Sequence, residues 1–298
     1  MTLEQLRVFV AVAERQHVTR AAEALNLAQS AASAAVAALE ARHGCKLFDR
    51  VGRGIALTEA GSLFLIEARA VLARAEAAEL ALAELAGLTR GVLRVQASQT
   101  IASYWLPRHL VAFRRAHPGI EIRLGVGNTA QVAAAVRQGA AELGFVEGAV
   151  ADPALAATPL AQDRIVLVVG PDHPWAGRTD LAPGELPDSP WVLREPGSGT
   201  RSSFEEGVAA LGIAPDRLRT ALELPSNEAV RAAVEAGLGA TALSASVVAP
   251  SLEAGLLRHV RFALPTRQFH ALRHAERQPS RAVLTLLGLI AGPAPPPG

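Results

Sequence analysis

Polar side chains suited to holding a ligand gather at four places, each where a strand-like run gives way to a helix-like one. Ser98 closes the run VLRVQAS, and Gln99 and Thr100 follow it; Asn128 and Thr129 follow IEIRLGV; Ser226 and Asn227 follow ALELP. The fourth stretch, Arg194, Glu195, Pro196, Gly197, Ser198, Gly199, Thr200 and Arg201, continues WVL and opens another helical pattern. In a sheet flanked by helices, ligands collect beyond the carboxyl ends of the strands, where helix N-termini aim unpaired N–H groups into a crevice. Hydroxyls, backbone amides and a fixed guanidinium converging there favour a small anion. Glu147 and Glu195 are placed to accept hydrogen bonds from such a ligand, or to pair with Arg194 or Arg201. Ser, Thr and Asn at helix starts are often plain caps. The 194–201 run carries more weight, because its two glycines let a backbone approach a ligand closely.

A second chemistry is written near the N-terminus. Leu3, Leu6, Phe9, Val10 and Ala13 recur at helical spacing and define one buried stripe. Thr19 is then the expected N-cap of a short helix, Arg20 to Leu25, and Asn26, Leu27 and Ala28 form a three-residue turn, Asn being tolerant of positive φ. A third helix spans Gln29 to Arg42. Burial of Ala32, Val36 and Leu39 leaves Gln29, Ser30, Ser33, Ala34 and Ala37 on the opposite face. Two helices joined by a three-residue turn, the second with a small, mostly uncharged outer face, are what a reader of the major groove requires. KLFDRVGRGIAL follows as strand, Gly-Arg-Gly turn and strand, a wing whose Arg50 and Arg53 would straddle phosphates. The expected DNA contacts are Thr19, Arg20, Gln29, Ser30, Ser33, Arg50 and Arg53.

Enzymatic chemistry finds no comparable footing. Gly197, Ser198 and Gly199 do not form a Gly-x-Ser-x-Gly elbow, and no His or Asp stands beside them in a triad pattern. Gly237, Gly239 and Ala242 mimic a dinucleotide fingerprint but follow a helix and precede a strand, the reverse order. His270 and His274 fall in a strand and turn, a poor geometry for a shared metal, and Cys45 reads as a small filler. Lys46 is the only lysine among 29 basic residues, and no P-loop surrounds it. Neither cofactor nor metal is expected. The rival class is a ligand-binding protein or enzyme on a periplasmic-binding-like fold, without promoter control.

The positioning elements follow from length and texture. At 298 residues, half of them hydrophobic and 19% charged, the chain is sized for about two well-cored domains. A net charge of +1 means that DNA binding must come from a local patch. One cysteine and an N-terminus interrupted by Glu4, Arg7 and Glu14 point to a reducing cytoplasm, and the longest charge-free run, Ala236 to Leu252, is too broken to cross a membrane. The expected division is 1–58 for the DNA reader, 59–88 for a linker helix, and 89–298 for a ligand-binding region. Thr58 caps the linker, whose Leu63, Ile66, Ala70, Ala73, Ala77 and Leu80 step by three and four in heptad fashion. Such a narrow seam on so long a helix asks for a partner, and a homodimer would hold two DNA-reading heads about one DNA turn apart. Beyond it, strand and helix alternate to give a parallel sheet in two lobes: lobe I at about 89–161 and 266–292, lobe II at about 162–265. The last residues, 293–298, form a disordered tail.

From Leu6 to Gly61 the sequence LRVFVAVAERQHVTRAAEALNLAQSAASAAVAALEARHGCKLFDRVGRGIALTEAG resembles the head of the LysR-type transcriptional regulators. The resemblance implies an α/β protein with a winged helix-turn-helix head, a dimerising linker helix and a two-lobed effector domain similar to periplasmic binding proteins (type 2). It also implies promoter DNA and a small effector as partners, homodimers that pair into tetramers, and RNA polymerase as a further candidate partner. Positions 34 and 35, where relatives often carry Arg, Gln or His, are Ala34 and Ala35 here. Base readout is then left to Gln29, Ser30 and Ser33, aided by phosphate contacts and DNA shape. The run from Arg194 to Arg201 looks like its counterpart in regulators of sulfur assimilation and autotrophic carbon fixation, which implies a sulfur oxyanion, a phosphorylated metabolite or a carboxylate as effector.

Overall fold

The structure, a computed structural model, describes residues 1–51, 54–85 and 91–292 and resolves into two compact units. Arg53, the end of the linker at 86–88 and the tail at 293–298 lie outside the described residues, as do the side chains of Ala77 and Leu80.

The first unit begins with helix α1 (Leu3–Arg15), closed at its start by a reciprocal capping box between Thr2 and Gln5. Helix α2 (Val18–Ala24) and helix α3 (Gln29–His43) flank a turn in which Asn26 takes φ 54°, as its side chain permits. Two expectations need correction. Thr19 is not the cap: α2 starts earlier, and His17 Nδ1 accepts from the Arg20 amide at 3.4 Å, leaving Thr19 exposed within the first turn. The burial of α1 is also wider than one stripe. Leu3 is exposed, while Val8, Ala11 and Val12 join Leu6, Phe9 and Ala13 inside, because α2 and α3 cover one flank and a later helix covers the other.

Strands β1 (Phe48–Val51) and β2 (Gly54–Leu57) pair antiparallel as the wing. Glu40 fixes its base: its carboxylate accepts the Leu47 amide at 2.9 Å and the Lys46 ammonium at 2.7 Å. Burial opposes its charge, but Lys46 and the amides of Leu47 and Phe48 outweigh burial and hold the carboxyl below its ordinary pKa. Its contribution to stability is therefore complete above the ordinary glutamate range and is lost as the pH falls through the depressed value. Glu40→Ala is expected to cost about 1–2 kcal/mol at neutral pH, measured by thermal unfolding. The cost should shrink below pH 4.

Helix α4 (Glu59–Leu85) is capped by Thr58, whose hydroxyl accepts the Gly61 amide at 2.9 Å. It crosses the chain at Leu47 so closely that a Cβ on Gly61 would stand 2.0 Å from the Leu47 carbonyl, which explains glycine there. Phe64, Leu65, Ala68 and Leu72 pack on Leu6, Phe9, Leu39 and Leu47, with the Phe9 ring between Phe48 and Phe64. The seam expected from heptad spacing falls on the other side of α4. There Leu63 is 63% exposed, and Ile66, Ala70 and Ala73 are only partly covered.

The second unit contains two helix-flanked lobes sharing one path of paired strands. Lobe I holds β3 (Gly91–Ser98), a π-helical turn (Ile101–Trp105) running into α5 (Leu106–Ala116), β4 (Ile120–Gly127), α6 (Thr129–Gln138) and β5 (Leu143–Glu147). Strand β6 (Leu155–Val169) leads into lobe II: β7 (Pro190–Arg194), α7 (Gly199–Ala210), β8 (Arg219–Leu224), α8 (Asn227–Glu235), β9 (Ala240–Ser244), α9 (Ala245–Glu253) and β10 (Arg258–Val260). Strand β11 (Thr266–His274) returns to lobe I, and α10 (Arg281–Ala291) closes the fold. Each lobe has three parallel strands, as alternation predicts. The sheets are nonetheless mixed, because β6 and β11 run antiparallel to each other and to their neighbours. Along β6 the partner changes from β11 to β9 between Arg164 and Ile165, at the crossing between lobes. Helix α9, with Pro250 inside it, is the helix that the sequence reading did not foresee.

Candidate effector cleft and DNA-reading face

The cleft is assembled from strand ends. Ser98, at the end of β3, is 2% exposed, and its hydroxyl has no hydrogen-bond partner. Next to it, Gln99 and Thr100 reach across to lobe II. Gln99 Oε1 accepts the Asn227 amide at 2.7 Å, its Nε2 donates to Glu228 at 2.9 Å, and Thr100 Oγ1 accepts Asn227 Nδ2 at 3.0 Å. Tyr104, the only tyrosine, donates to Glu228 at 3.3 Å. Burial and the Glu228 charge push its phenol above the ordinary pKa.

Arg194 is 5% exposed and fully engaged: Nη1 donates to Asn227 Oδ1 at 2.6 Å, while Nε and Nη2 grip Glu195 at 2.8 and 3.0 Å. Burial opposes the charge on Glu195, yet Arg194 and the Asn128 amide, 3.2 Å away, keep its carboxyl below the usual range. On the same side the Ala130 amide donates to the Gly197 carbonyl at 3.2 Å. Thr129 Oγ1 lies 3.4 Å from the Glu147 carbonyl and carboxylate oxygens. Gly199 sits where a Cβ would come within 2.5 Å of Thr129 Oγ1 and 2.6 Å of the Glu147 carbonyl.

Of the expected ligand residues, Gln99, Thr100, Asn227, Arg194, Glu195 and Asn128 are thus joined in one hydrogen-bonded set between the lobes, and Thr129, Glu147 and Gly199 approach one another closely. Ser98 is buried at the end of β3, and Ser198 and Thr200 are buried at the start of α7, the Ser198 hydroxyl not capping that helix. Ser226 is an ordinary N-cap, accepting the Ala229 amide at 3.0 Å. Arg201 is engaged with Glu205 at 2.7 Å, Glu223 at 2.5 Å and the Arg194 carbonyl at 3.0 Å. Sequence reasoning missed Arg267. From β11 its Nη1 donates to Thr200 Oγ1 at 2.9 Å and its Nε to Asp163 Oδ2 at 2.8 Å; Asp163 is held in turn by Ser244 at 2.8 Å. Nη2 lies 2.7 Å from the same Asp163 oxygen without a hydrogen-bonding angle. The sequence carried little signal: Asp163 stands before the apolar run of β6, but β11 holds Arg267 among several other polar residues, and only the pairing of the two strands buries both.

In the first unit, Gln29, Ser30, Ala34 and Ala37 are exposed on one face of α3, and Gln29 Nε2 donates to Ser33 Oγ at 2.9 Å. Arg20 on α2 and Arg50 on β1 are exposed as well. Residues 3–62 match the family model described as bacterial regulatory helix-turn-helix protein, lysR family, and residues 86–292 match LysR substrate binding domain. The chain belongs to the LysR family of transcriptional regulators.

This LysR-type regulator is 36% identical over 289 residues to the uncharacterised HTH-type transcriptional regulator YeiE of Escherichia coli (strain K12), covering 96% of each chain. It is 37% identical over 256 residues to the RuBisCO operon transcriptional regulator of Acidithiobacillus ferrooxidans, covering 86% of this chain and 82% of that one. Among solved structures, the CcmR regulatory domain of Synechocystis PCC6803 in complex with 2-PG superposes with a TM-score of 0.62 at 27% identity, covering 68% of this chain and 96% of that one. LysR-type regulators bind promoter DNA and small effectors and are not enzymes. Among the described residues, no helix is long and apolar enough to cross a membrane.

Proposed function

We propose that this LysR-type regulator controls its promoters in response to a small anion, a sulfur oxyanion, phosphorylated metabolite or carboxylate, bound between the two lobes of residues 89–292. The observation that carries the reading is the set of polar side chains that meet between the lobes, Gln99 and Thr100 with Asn227 and Asn128 with Glu195, next to a buried Ser98 hydroxyl that has no hydrogen-bond partner. The complex of the similar CcmR regulatory domain with 2-PG supports a small-molecule effector in this region. An effector shifts an equilibrium only by its differential affinity for two states, and the direct bonds of Gln99, Thr100 and Asn128 across the crevice supply the contacts that change when the lobes move. Coupling of about 1–3 kcal/mol to the DNA-reading head is sufficient to change promoter occupancy. Thr100→Ala and Thr200→Ala are expected to abolish the effector's influence on operator affinity while operator binding itself survives, measured by fluorescence anisotropy on promoter DNA. An unchanged effector response in both variants contradicts the assignment.

The head of residues 1–58 reads an interrupted palindrome in cytoplasmic, double-stranded promoter DNA through Gln29, Ser30 and Ser33, with Arg50 and Arg53 on phosphates and Thr19 and Arg20 as further DNA contacts. The seam of Leu63, exposed, and Ile66, Ala70 and Ala73, partly covered, on α4 within the 59–88 linker supports a homodimer, which pairs again into a homotetramer. RNA polymerase is the partner expected at activated promoters. With so few base-reading side chains, phosphate contacts dominate affinity. Arg53→Ala should weaken binding to all sequences alike and reduce the slope of log affinity against log salt by about 1. A loss confined to one operator sequence contradicts this.

A further inference from the structure

Charge in the cleft is matched unevenly. Arg194 is met by Glu195 and Arg267 by Asp163, whereas Glu147, only 3% exposed, has no cationic partner among the described residues. Its carboxylate receives a single long contact, from Thr129 at 3.4 Å. A buried carboxylate with so little hydrogen bonding is costly. Glu147 ends β5 beside the start of α7, where a Cβ on Gly199 would lie 3.2 Å from Glu147 Cβ, and the next residue, Thr200, holds Arg267. On the sheet, Phe269 is the register partner of Glu147, which puts Arg267 two residues along the same strand. Ser98 Oγ and Arg267 Nη2 are both buried without a hydrogen bond. Ser98 and Glu147 end the neighbouring strands β3 and β5, so a hydroxyl without an acceptor stands near a carboxylate short of donors, while Arg267 Nη2 is held by Asp163 at 2.7 Å through charge without a hydrogen-bonding angle.

We propose that the ligand is an anion that itself donates a hydrogen bond. It is a protonated oxyanion of the hydrogen-phosphate kind or a hydroxyl-bearing carboxylate. Arg267 and Ser98 take its charged oxygens, and its O–H points at Glu147. This rests on the cleft being an anion site, and it narrows the class. A fully deprotonated oxyanion brings like charge to Glu147 with no donor to relieve it, and a site built around a hydrogen bond rejects an analogue that cannot form it.

The test is thermal unfolding of the full-length protein at pH 6.5 and matched ionic strength, titrated with inorganic phosphate, sulfate, glycolate and acetate. At least one donor-bearing anion is expected to half-saturate at a concentration at least about tenfold below that of its donor-free counterpart, phosphate against sulfate or glycolate against acetate. The arm that responds identifies the ligand chemistry. Glu147→Gln, of the same size but uncharged and able to donate, should bring that pair within about threefold. Equal stabilisation by both members of each pair, or an unchanged ratio in Glu147→Gln, overturns the proposal; if that variant does not fold, the wild-type ratios decide. Thr200→Ala separates the two levels. If it removes an unselective response, the anion site stands and the donor requirement falls; if no anion shifts the melting temperature, or Thr200→Ala leaves every response intact, both fall.

Discussion

Arg267→Met is expected to destabilise the effector unit by about 3–5 kcal/mol, lowering its melting temperature by roughly 10 °C. The guanidinium is buried between β6 and α7, and its removal leaves the Asp163 carboxylate, equally buried, with only the Ser244 hydroxyl. Most of the cost is this uncompensated charge and not the loss of attraction. The double variant Arg267→Met with Asp163→Leu should therefore recover most of the stability, a coupling readable in a double-mutant cycle by calorimetry. A single-variant cost below about 1 kcal/mol would mean that the pair is hydrated and does not brace the crossing strands. The double variant should still lose its anion response, because Thr200 and the ligand lose the same donor.

Gly199→Ala should raise the half-saturating anion concentration by about tenfold or more. The added methyl meets the Thr129 hydroxyl and the Glu147 carbonyl, and the latter is backbone of a buried strand that cannot move aside. Because Gly199 belongs to lobe II and both obstacles to lobe I, the strain is relieved by separating the lobes, which disfavours the arrangement in which ligand is held from both sides. Overpacking of this kind costs about 1–3 kcal/mol, enough to shift the balance of lobe positions without unfolding either lobe. Isothermal titration with a stabilising anion measures it. Unaltered affinity would show that the approach of Gly199 to Glu147 is incidental.

The sequence showed its local features clearly and its long-range ones poorly. Helices α5 and α6 and the strands beside them were legible because alternation and 3.6-residue periodicity are properties of the segment itself. So was the wing, where two glycines flank an arginine. The N-cap of α2 was misread because His17 and Thr19 are both competent caps, and only the packing of Ala21 and Ala22 sets the start of the helix. Spacing revealed the seam on α4 but not which side the head would cover, since the helix is apolar on two faces. In the cleft, residues at strand ends could be named from the chain, whereas Arg267 could not. Its importance comes from β6 and β11 crossing side by side, a pairing between positions 104 residues apart.

The most direct test of the central claim is footprinting of the full-length protein on its own upstream promoter fragment at low ionic strength, with and without an anion that raises its melting temperature. The account predicts a protected, interrupted palindrome whose extent or affinity changes when the anion is added, and a Thr200→Ala variant whose footprint stays fixed. A promoter left unprotected, or protection identical with and without a bound anion, would contradict it.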